Sequence, residues 1–243
     1  MGRKQYTDEE KAEFKARDQA LAEAADAALA APDAGERATA LALRSRKLAA
    51  YSPRNLMMLA NQAAEAGIEL RDVDTGRGWK ERGKAIRKGS KAVLRIVYPI
   101  QRSRVRELGA DSENDEQTLF RTKAVFELSQ TEDADTVVPD PDAQTGAETD
   151  PAAIWRGRLD READKLGLAV VDTAPGDGTA SAVLDTETRT ITVTADDPRT
   201  PAALSALAQR LAEAQTAANA ARPRTPATSD RGRADEGTVL DFD

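Results

Sequence analysis

The stretch that decides the fold, residues 79–99, reads WKERGKAIRKGSKAVLRIVYP. Its first part is basic and holds two glycines, whereas residues 92–98 form an apolar run that only Arg95 interrupts and that Pro99 stops. A short apolar run bounded by turn residues and proline is typical of a strand buried on most of its surface. The stretch therefore predicts a cation-rich loop or turn that leads into a β-strand.

A second strand is predicted at residues 119–128, where apolar and polar residues alternate. The polar residues 101–118 predict a hairpin loop between the two strands. The alternation assigns an apolar face to Phe120, Ala124, Phe126 and Leu128, and a polar face to Arg121, Lys123 and Glu127.

Helix signals precede this sheet. Thr7 and Glu10 have the spacing of a capping box, which predicts a helix to about residue 31. A second helix is predicted at residues 36–50. Ser52 followed by proline is typical of a capped helix start, here of a helix to about residue 65.

Downstream of the sheet, an acidic linker is predicted at residues 134–150. It ends in a second Asp-Pro helix start, at Asp150, and the following helix stops before Gly167. Short strands are predicted at residues 168–172, 181–184 and 190–194, and a final helix at 201–221. We therefore predict an α+β protein with a first domain at 1–133 (helical lead 1–66, sheet and basic loop 67–133), a second small α+β domain at 151–221 and a disordered tail at 222–243.

Composition excludes several enzyme classes. The 243 residues include no cysteine and no histidine, which removes thiol nucleophiles, the Ser-His-Asp triad and the usual ligands of catalytic zinc. Carboxylate sites for a hard cation remain possible, but adjacent acids in turns are usually solvated. We expect no enzymatic activity, no catalytic or metal-ligating residues and no cofactor.

Membrane and export signals are also missing from the sequence. No apolar run approaches the 18 or so residues of a membrane span, and residues 1–10 are polar and charged. We expect a cytoplasmic protein without a membrane partner.

Charge is distributed unevenly along the chain, whose net charge is -7. Residues 71–106 contain twelve Lys and Arg against three acids, whereas residues 107–150 contain thirteen acids against two cations. Salt screening confines electrostatic interactions to about 10 Å, so a local basic stripe is able to bind phosphates whatever the global charge. A solvated face is the alternative interpretation.

The basic segment carries candidate nucleic-acid contacts. Gly83 and Gly89 would let the main chain approach a ligand closely, and Trp79 offers a face for base stacking. Trp79 is equally interpretable as a core residue, and Tyr51 as a packing residue. The cations of this segment are Lys80, Arg82, Lys84, Arg87, Lys88 and Lys91.

Three motifs carry a family resemblance: YSPRN at 51–55 with Leu59 and Gln62 downstream, the Trp79 segment to residue 91, and VFELSQTE at 125–132. In order and spacing they resemble the N-terminal single-stranded-DNA-binding domain of ArdC-type antirestriction proteins. That family carries YS-x-x-N, then W-x-x-x-G-R-x-V-x-K-G-E-K, then F-D-x-S-Q-T. The resemblance covers roughly residues 40–133, and it departs from the pattern at Lys84, Ser90 and Glu127.

The resemblance implies a mobile-element protein, plasmid or phage borne, that coats single-stranded DNA without sequence specificity and shields it from restriction nucleases. Asn55 and Gln130 would contact bases or phosphates, although buried structural amides are an equal alternative. The DNA-binding residues predicted in this way are Tyr51, Arg54, Asn55, Trp79, Lys80, Arg82, Lys84, Arg87, Lys88, Lys91 and Gln130.

In this family the second domain often resembles a zinc metallopeptidase with H-E-x-x-H on a helix. Aligned on its leucines, the final helix here places Gln209 and Glu213 at the positions of the two histidines and Arg210 at that of the general base. A neutral amide is a poor zinc ligand, and a guanidinium repels the ion. The resemblance therefore implies a degenerate, inactive peptidase-like domain.

Two further functions remain as alternatives. The acidic linker and tail are able to mimic DNA charge and bind a restriction or DNA-processing enzyme directly. The tail, where Val239, Leu240 and Phe242 interleave with acids, also resembles the tips by which some single-strand-binding proteins recruit partners, although a frayed terminus is the simpler interpretation. A magnesium-dependent nuclease is the third and weakest alternative.

Overall fold

The computed structural model describes residues 7–99, 120–134, 150–174 and 179–221. The predicted hairpin loop, most of the predicted linker and the predicted tail lie outside the described residues. The helices are α1 (Asp8–Leu29), α2 (Ala34–Ala42), α3 (Arg46–Ala49), α4 (Pro53–Glu65), α5 (Gly76–Glu81), α6 (Pro151–Lys165) and α7 (Pro201–Ala221). The strands are β1 (Val73–Asp74), β2 (Lys84–Ile86), β3 (Leu94–Pro99), β4 (Phe120–Glu127), β5 (Thr131–Asp133), β6 (Ala169–Thr173), β7 (Ser181–Asp185) and β8 (Thr190–Thr194).

The strands form small separate sheets, which confirms the α+β prediction. The first has the order β1-β4-β3, and its β3 and β4 pair antiparallel with Leu94 opposite Val125. A two-stranded ladder joins β2 to β5, with Ile86 opposite Thr131. The third sheet has the order β6-β8-β7, in which β6 is parallel and β7 antiparallel to β8.

The predicted helix starts are confirmed by their caps. Thr7 and Glu10 form the capping box, Ser52 accepts a hydrogen bond from the N–H of Asn55, and Asp150 accepts one from the N–H of Ala152. The prediction of one helix over residues 36–50 is wrong. Helix α2 ends at Ala42, and the Ser45 hydroxyl starts α3 by accepting the N–H of Leu48. A serine that bonds nearby backbone competes with the continuing helix.

The predicted polar face of the second strand is wrong at Glu127. Val125 and Glu127 are both fully buried, whereas Phe126 is only partly covered. The Glu127 carboxylate accepts the N–H groups of Arg71 and Ser129. Because these backbone donors replace water, the carboxylate lies inside without an unsatisfied oxygen.

The two predicted domains share one apolar cluster. Helix α7 packs along α2, and the cluster includes Ala38 and Ala42 from α2 together with Leu204 and Leu207 from α7. The indole Nε1 of the fully buried Trp155 in α6 donates to Thr39 Oγ1 of α2 at 3.1 Å. The apolar core therefore continues across the boundaries predicted at residues 133 and 151. None of the helices in the described part of the chain has the length and apolar character that crossing a membrane requires.

Gly35 lies where α2 and α7 approach each other closely. A Cβ atom built there would lie 2.4 Å from the carbonyl oxygen of Ser205 and 2.5 Å from the backbone nitrogen of Gln209. Because the obstruction is backbone, it has little freedom to move aside. We expect Gly35→Ala to lower the free energy of unfolding by about 1–3 kcal/mol, the usual cost of overpacking. Urea denaturation followed by circular dichroism measures this change.

Gly157, in the middle of α6, provides the matched control. Among the described residues, a Cβ atom there would come within 4 Å of Nη1 of Arg161 alone, at 3.7 Å. Alanine lowers the entropy cost of helix formation relative to glycine, so Gly157→Ala should raise the free energy of unfolding by about 0.5–1 kcal/mol. Equal effects at Gly35 and Gly157 would contradict the close approach of α2 and α7.

Candidate nucleic-acid interface

Residues 87–91, between β2 and β3, form a tight exposed turn that we call the basic turn. Its backbone closes through a hydrogen bond of 3.0 Å from the N–H of Ser90 to the carbonyl of Arg87. Gly89 has a φ of 89°, in the region that favours glycine because other residues place a Cβ against the backbone there. The sequence Arg-Lys-Gly-Ser-Lys is therefore suited to a tight turn that carries cations.

Gln130 and Thr131 hold the basic turn from the neighbouring strand. The Gln130 side chain donates to the carbonyl of Lys91 at 2.9 Å and accepts the N–H of Glu127 at 3.0 Å. Arg87 donates its N–H to the carbonyl of Gln130 and its Nε to that of Thr131, each at 2.9 Å. The predicted DNA contact of Gln130 is replaced in this structure by a role in positioning the turn, because both ends of its amide are bonded to the protein.

The cations of the basic turn are exposed to solvent. Arg87, Lys88 and Lys91 are exposed, and none of them forms an ion pair with an acid of the described residues. Lys80 on α5 is likewise exposed and unpaired within the described ranges. These four cations meet the main requirement of a phosphate-binding surface, which is positive charge that the protein does not itself neutralise.

Three other predicted cations are paired with the protein's own acids. Arg54 forms two hydrogen bonds of 2.8 Å with Asp26. Lys84 donates to Asp133 at 2.9 Å. Arg54 and Lys84 are therefore not free cations in this structure, because a nucleic acid would first have to displace a carboxylate, and their DNA contacts stay predictions.

Arg82, the third of these cations, belongs to a buried charge network. Its guanidinium pairs with Asp72 and lies 3.8 Å from Asp74. Lys47 pairs with Asp74 at 3.0 Å. Both acids are more than nine-tenths buried, and removing one partner of such a pair is costly because an uncompensated charge remains inside. Arg82 is thus committed to the fold.

Trp79 is a core residue, so the predicted base stacking is wrong. The side chain is fully buried, and its Nε1 donates to the carbonyl of Phe126 at 2.9 Å. The guanidinium of Arg82 covers the ring at 4.3 Å from its centroid. A base has no open face of this indole to stack on.

Asn55 and Gln62 join α4 to the edge of the first sheet. The Asn55 amide both accepts from the N–H of Val97 and donates to its carbonyl, each at 2.9 Å. Gln62 makes the same two contacts with Arg95 at 2.9 Å. Because β3 is an edge strand, these amides satisfy backbone groups that would otherwise lack partners. Asn55 is thus a structural amide in this structure, which was the alternative to a DNA contact.

Tyr51 lies half-buried beside the same charge network as Arg82. Burial, followed by the negative charges of Asp74 and Asp72, raises the pKa of the Tyr51 phenol far above its ordinary value. The phenol therefore stays protonated at any physiological pH. Gly78 belongs to this arrangement as well, because a Cβ there would lie 2.1 Å from Asp74 Oδ1. The two buried aspartates escaped the sequence analysis, since a single sequence does not distinguish buried acids from solvated ones.

Comparison with known proteins bears on this arrangement. Residues 19–126 match the family model of the N-terminal domain of anti-restriction factor ArdC. This segment of 108 residues is similar to the ArdC N-terminal domain. It includes the YSPRN motif and the basic turn, and it ends within the third motif, so it contains every predicted DNA-binding residue except Gln130.

Solved structures of an ArdC protein were also found. The crystal structures of the antirestriction ArdC protein from the R388 plasmid are 20% identical in the Mn(II)-bound form and 19% identical in the metal-free form, each with a TM-score of 0.27. Each match covers 66% of this chain, and 57% and 53% of the respective R388 chains. The chain thus spans little more than half the length of those proteins. No curated protein matches.

Beyond the matched segment, the helix predicted to be peptidase-like uses its polar side chains to contact neighbouring elements. Gln209 Oε1 accepts the N–H of Gly35 at 2.8 Å. Arg210 donates from Nε to the carbonyl of Ala182 at 3.0 Å and pairs with Glu213 at 2.6 Å. Among the described residues no group of three or more His, Cys, Asp or Glu is placed to hold a metal ion. The degenerate peptidase domain remains a prediction from the sequence.

Proposed function

We propose that the chain binds single-stranded DNA through the basic turn and Lys80, without sequence preference, and so shields it from restriction nucleases. The observation that carries the proposal is the exposed turn whose three cations have no acidic partner in the described residues. The ArdC domain that contains this turn supplies the antirestriction context. The preference for single strands rests on the resemblance of the three motifs.

Binding of this kind would be mainly electrostatic. The free cations neutralise phosphates, which carry no sequence information. Because Trp79 is buried, it contributes no stacking energy to the interface. Occlusion follows directly: a strand covered by the protein is not accessible to a nuclease. We propose accordingly that the chain acts by stoichiometric binding in the cytoplasm and catalyses no reaction.

The salt dependence of binding tests this proposal. For single strands the logarithm of the association constant falls with the logarithm of salt concentration by about 0.7 per phosphate neutralised. If each of the four free cations neutralises one phosphate, the slope should be about -3. Fluorescence anisotropy of a labelled oligonucleotide, titrated at salt concentrations from about 50 to about 200 mM, measures this slope.

A matched duplex oligonucleotide serves as the control. Tighter binding of the single strand supports the proposal, whereas equal or tighter binding of the duplex contradicts its single-strand part. A slope near zero contradicts the proposal as a whole. In that case, capture of a restriction enzyme by the chain without DNA would favour the acidic DNA mimic.

A further inference from the structure

A cleft of about 860 Å³ is lined by residues from both predicted domains and by none of the basic turn. Its walls are α1, the first turn of α4, the β3–β4 pair, and the C-terminal parts of α6 and α7. Its volume falls in the range of about 300–1,000 Å³ that is typical of ligand sites. The cleft has no role in the function proposed above.

Apolar side chains form much of the cleft surface. They include Leu29 from α1, Val97 from β3, Leu166 after α6 and Leu211 from α7. No aromatic residue lines the cleft among the described residues. A nucleobase binds single-strand sites mainly by stacking on aromatic side chains. The lining therefore favours an aliphatic or peptide ligand over a base.

One wall of the cleft has a surplus of positive charge. Arg158 and Lys165 of α6 both pair with a single carboxylate, that of Glu162, at 2.6 and 3.0 Å. The Nε of Arg158 is buried and has no hydrogen-bond partner within the described residues. A buried donor without a partner costs about 1–3 kcal/mol. This wall is thus able to accept one further carboxylate.

The acids elsewhere in the cleft are already engaged. Asp26 is paired in a two-bond contact with Arg54. Asp18 accepts the hydroxyl of Thr122 through Oδ2, and its Oδ1, which has no hydrogen bond, lies 3.6 Å from a nitrogen of Arg17. An arginine therefore lies next to each of these two acids and offsets its negative charge. The α6 wall is the part of the cleft that favours an anionic ligand.

The chain itself contains a segment of matching chemistry. Residues 239–243 read VLDFD, in which three apolar side chains interleave with two carboxylates. Helix α7 lines the cleft with Gln215, Ala218 and Asn219 and ends at Ala221. The seventeen residues from 222 to 238 connect the two. A connection of seventeen residues spans at most about 56–61 Å, and α7 ends beside the cleft, so residues 239–243 are within reach of it.

We propose that residues 239–243 dock into this cleft of the same molecule. Val239, Leu240 and Phe242 cover the apolar surface, and an aspartate of the segment pairs with the guanidinium of Arg158 while Lys165 adds a second cation. Attachment to the same chain gives the segment an effective concentration of about millimolar. Docking within one molecule therefore prevails over docking between molecules at ordinary protein concentrations.

The experiment uses a fluorescein-labelled peptide with the sequence of residues 235–243. It is titrated with the full chain and with a full-length variant, V239S/L240S/F242S, whose own segment has lost its apolar side chains. We expect the variant to bind the peptide at least about tenfold more tightly than the unchanged chain, because the attached segment competes at high effective concentration. No binding to the variant, or equal binding to both proteins, would overturn the proposal.

Substitutions in the cleft wall locate the site. In the variant background, Arg158→Gln and Lys165→Gln should each weaken peptide binding by about tenfold, the effect of losing one charge-assisted hydrogen bond. Arg161→Gln, an exposed arginine on the same helix that does not line the cleft, should leave binding unchanged. Lys165 is exposed, so its replacement tests the site even if Arg158→Gln fails to fold.

Two other occupants give different results. If a second copy supplies the segment, the unchanged chain should dimerise in analytical ultracentrifugation and the triple variant should not. If the cleft holds DNA, an oligonucleotide should displace the peptide from the variant. Either result would overturn docking within one molecule.

Discussion

Replacing both Lys88 and Lys91 with glutamate is expected to weaken binding of single-stranded DNA by at least about 100-fold. Each lysine faces solvent and has no acidic partner in the described residues. A unit charge about 4 Å from a phosphate contributes on the order of 1 kcal/mol in water, and reversing the charge converts that attraction into a repulsion of similar size. Two reversals therefore change the binding free energy by about 3–4 kcal/mol. Anisotropy titration at about 50 mM salt, where screening is weak, measures the loss of affinity.

The control for this variant carries the same change in net charge. Arg37 on α2 and Arg161 on α6 are exposed, and neither forms an ion pair in the described part of the chain. The double variant R37E/R161E should bind the oligonucleotide within about threefold of the unchanged chain, since screening limits the reach of distant charges. Equal losses in the two double variants would show that net charge, and not the basic turn, governs binding. An acidic DNA mimic would keep its activity in K88E/K91E.

Replacing Trp79 with alanine is expected to lower the free energy of unfolding by about 3–5 kcal/mol, the usual cost of truncating a buried tryptophan. The indole is fully buried, and its Nε1 satisfies the carbonyl of Phe126. Its loss also removes the ring beneath the guanidinium of Arg82. Urea denaturation at constant pH gives the change in stability. A stacking tryptophan on the surface would cost far less to remove.

Fluorescence separates the two roles of Trp79 without relying on a destabilised variant. The chain has two tryptophans, Trp79 and Trp155, and both are fully buried. Saturating single-stranded DNA and iodide should therefore each leave the intrinsic emission nearly unchanged. Strong quenching by DNA would show that an indole meets the bases and would contradict the core assignment.

Much of the fold was predictable because its determinants are local. The N-termini of α1, α4 and α6 follow from Thr7, Ser52 and Asp150. Each of these side chains accepts a hydrogen bond from a backbone N–H two or three residues later. The bounds of β3 and β4 lie within two residues of the apolar run at 92–98 and the alternation at 119–128. The break between α2 and α3 was missed because the helix pattern continues through Ser45, whose competing hydrogen bond is a single local contact.

The candidate site was predictable only in part, because the sequence shows which residues are positively charged but not which acid each of them pairs with. The sequence counts the cations of the Trp79 segment and places them within a few residues of each other. It does not show that Arg82 pairs with Asp72, that Lys84 pairs with Asp133 forty-nine residues away, or that Arg54 pairs with Asp26. These pairings separate four available cations from three committed ones.

From composition and local pattern alone came the α+β class, the start points of the helices, the absence of histidine and cysteine chemistry, and the concentration of positive charge near residue 90. These properties depend on residue type and on the spacing of residues that lie close together in the sequence, and both can be read from the sequence directly. The burial of Trp79, the neutralisation of Arg82, the use of Asn55 on a strand edge and the shared core of α2 and α7 came from long-range packing. Each depends on which distant groups meet after folding, because burial and pairing are properties of the whole assembly of elements and not of a segment.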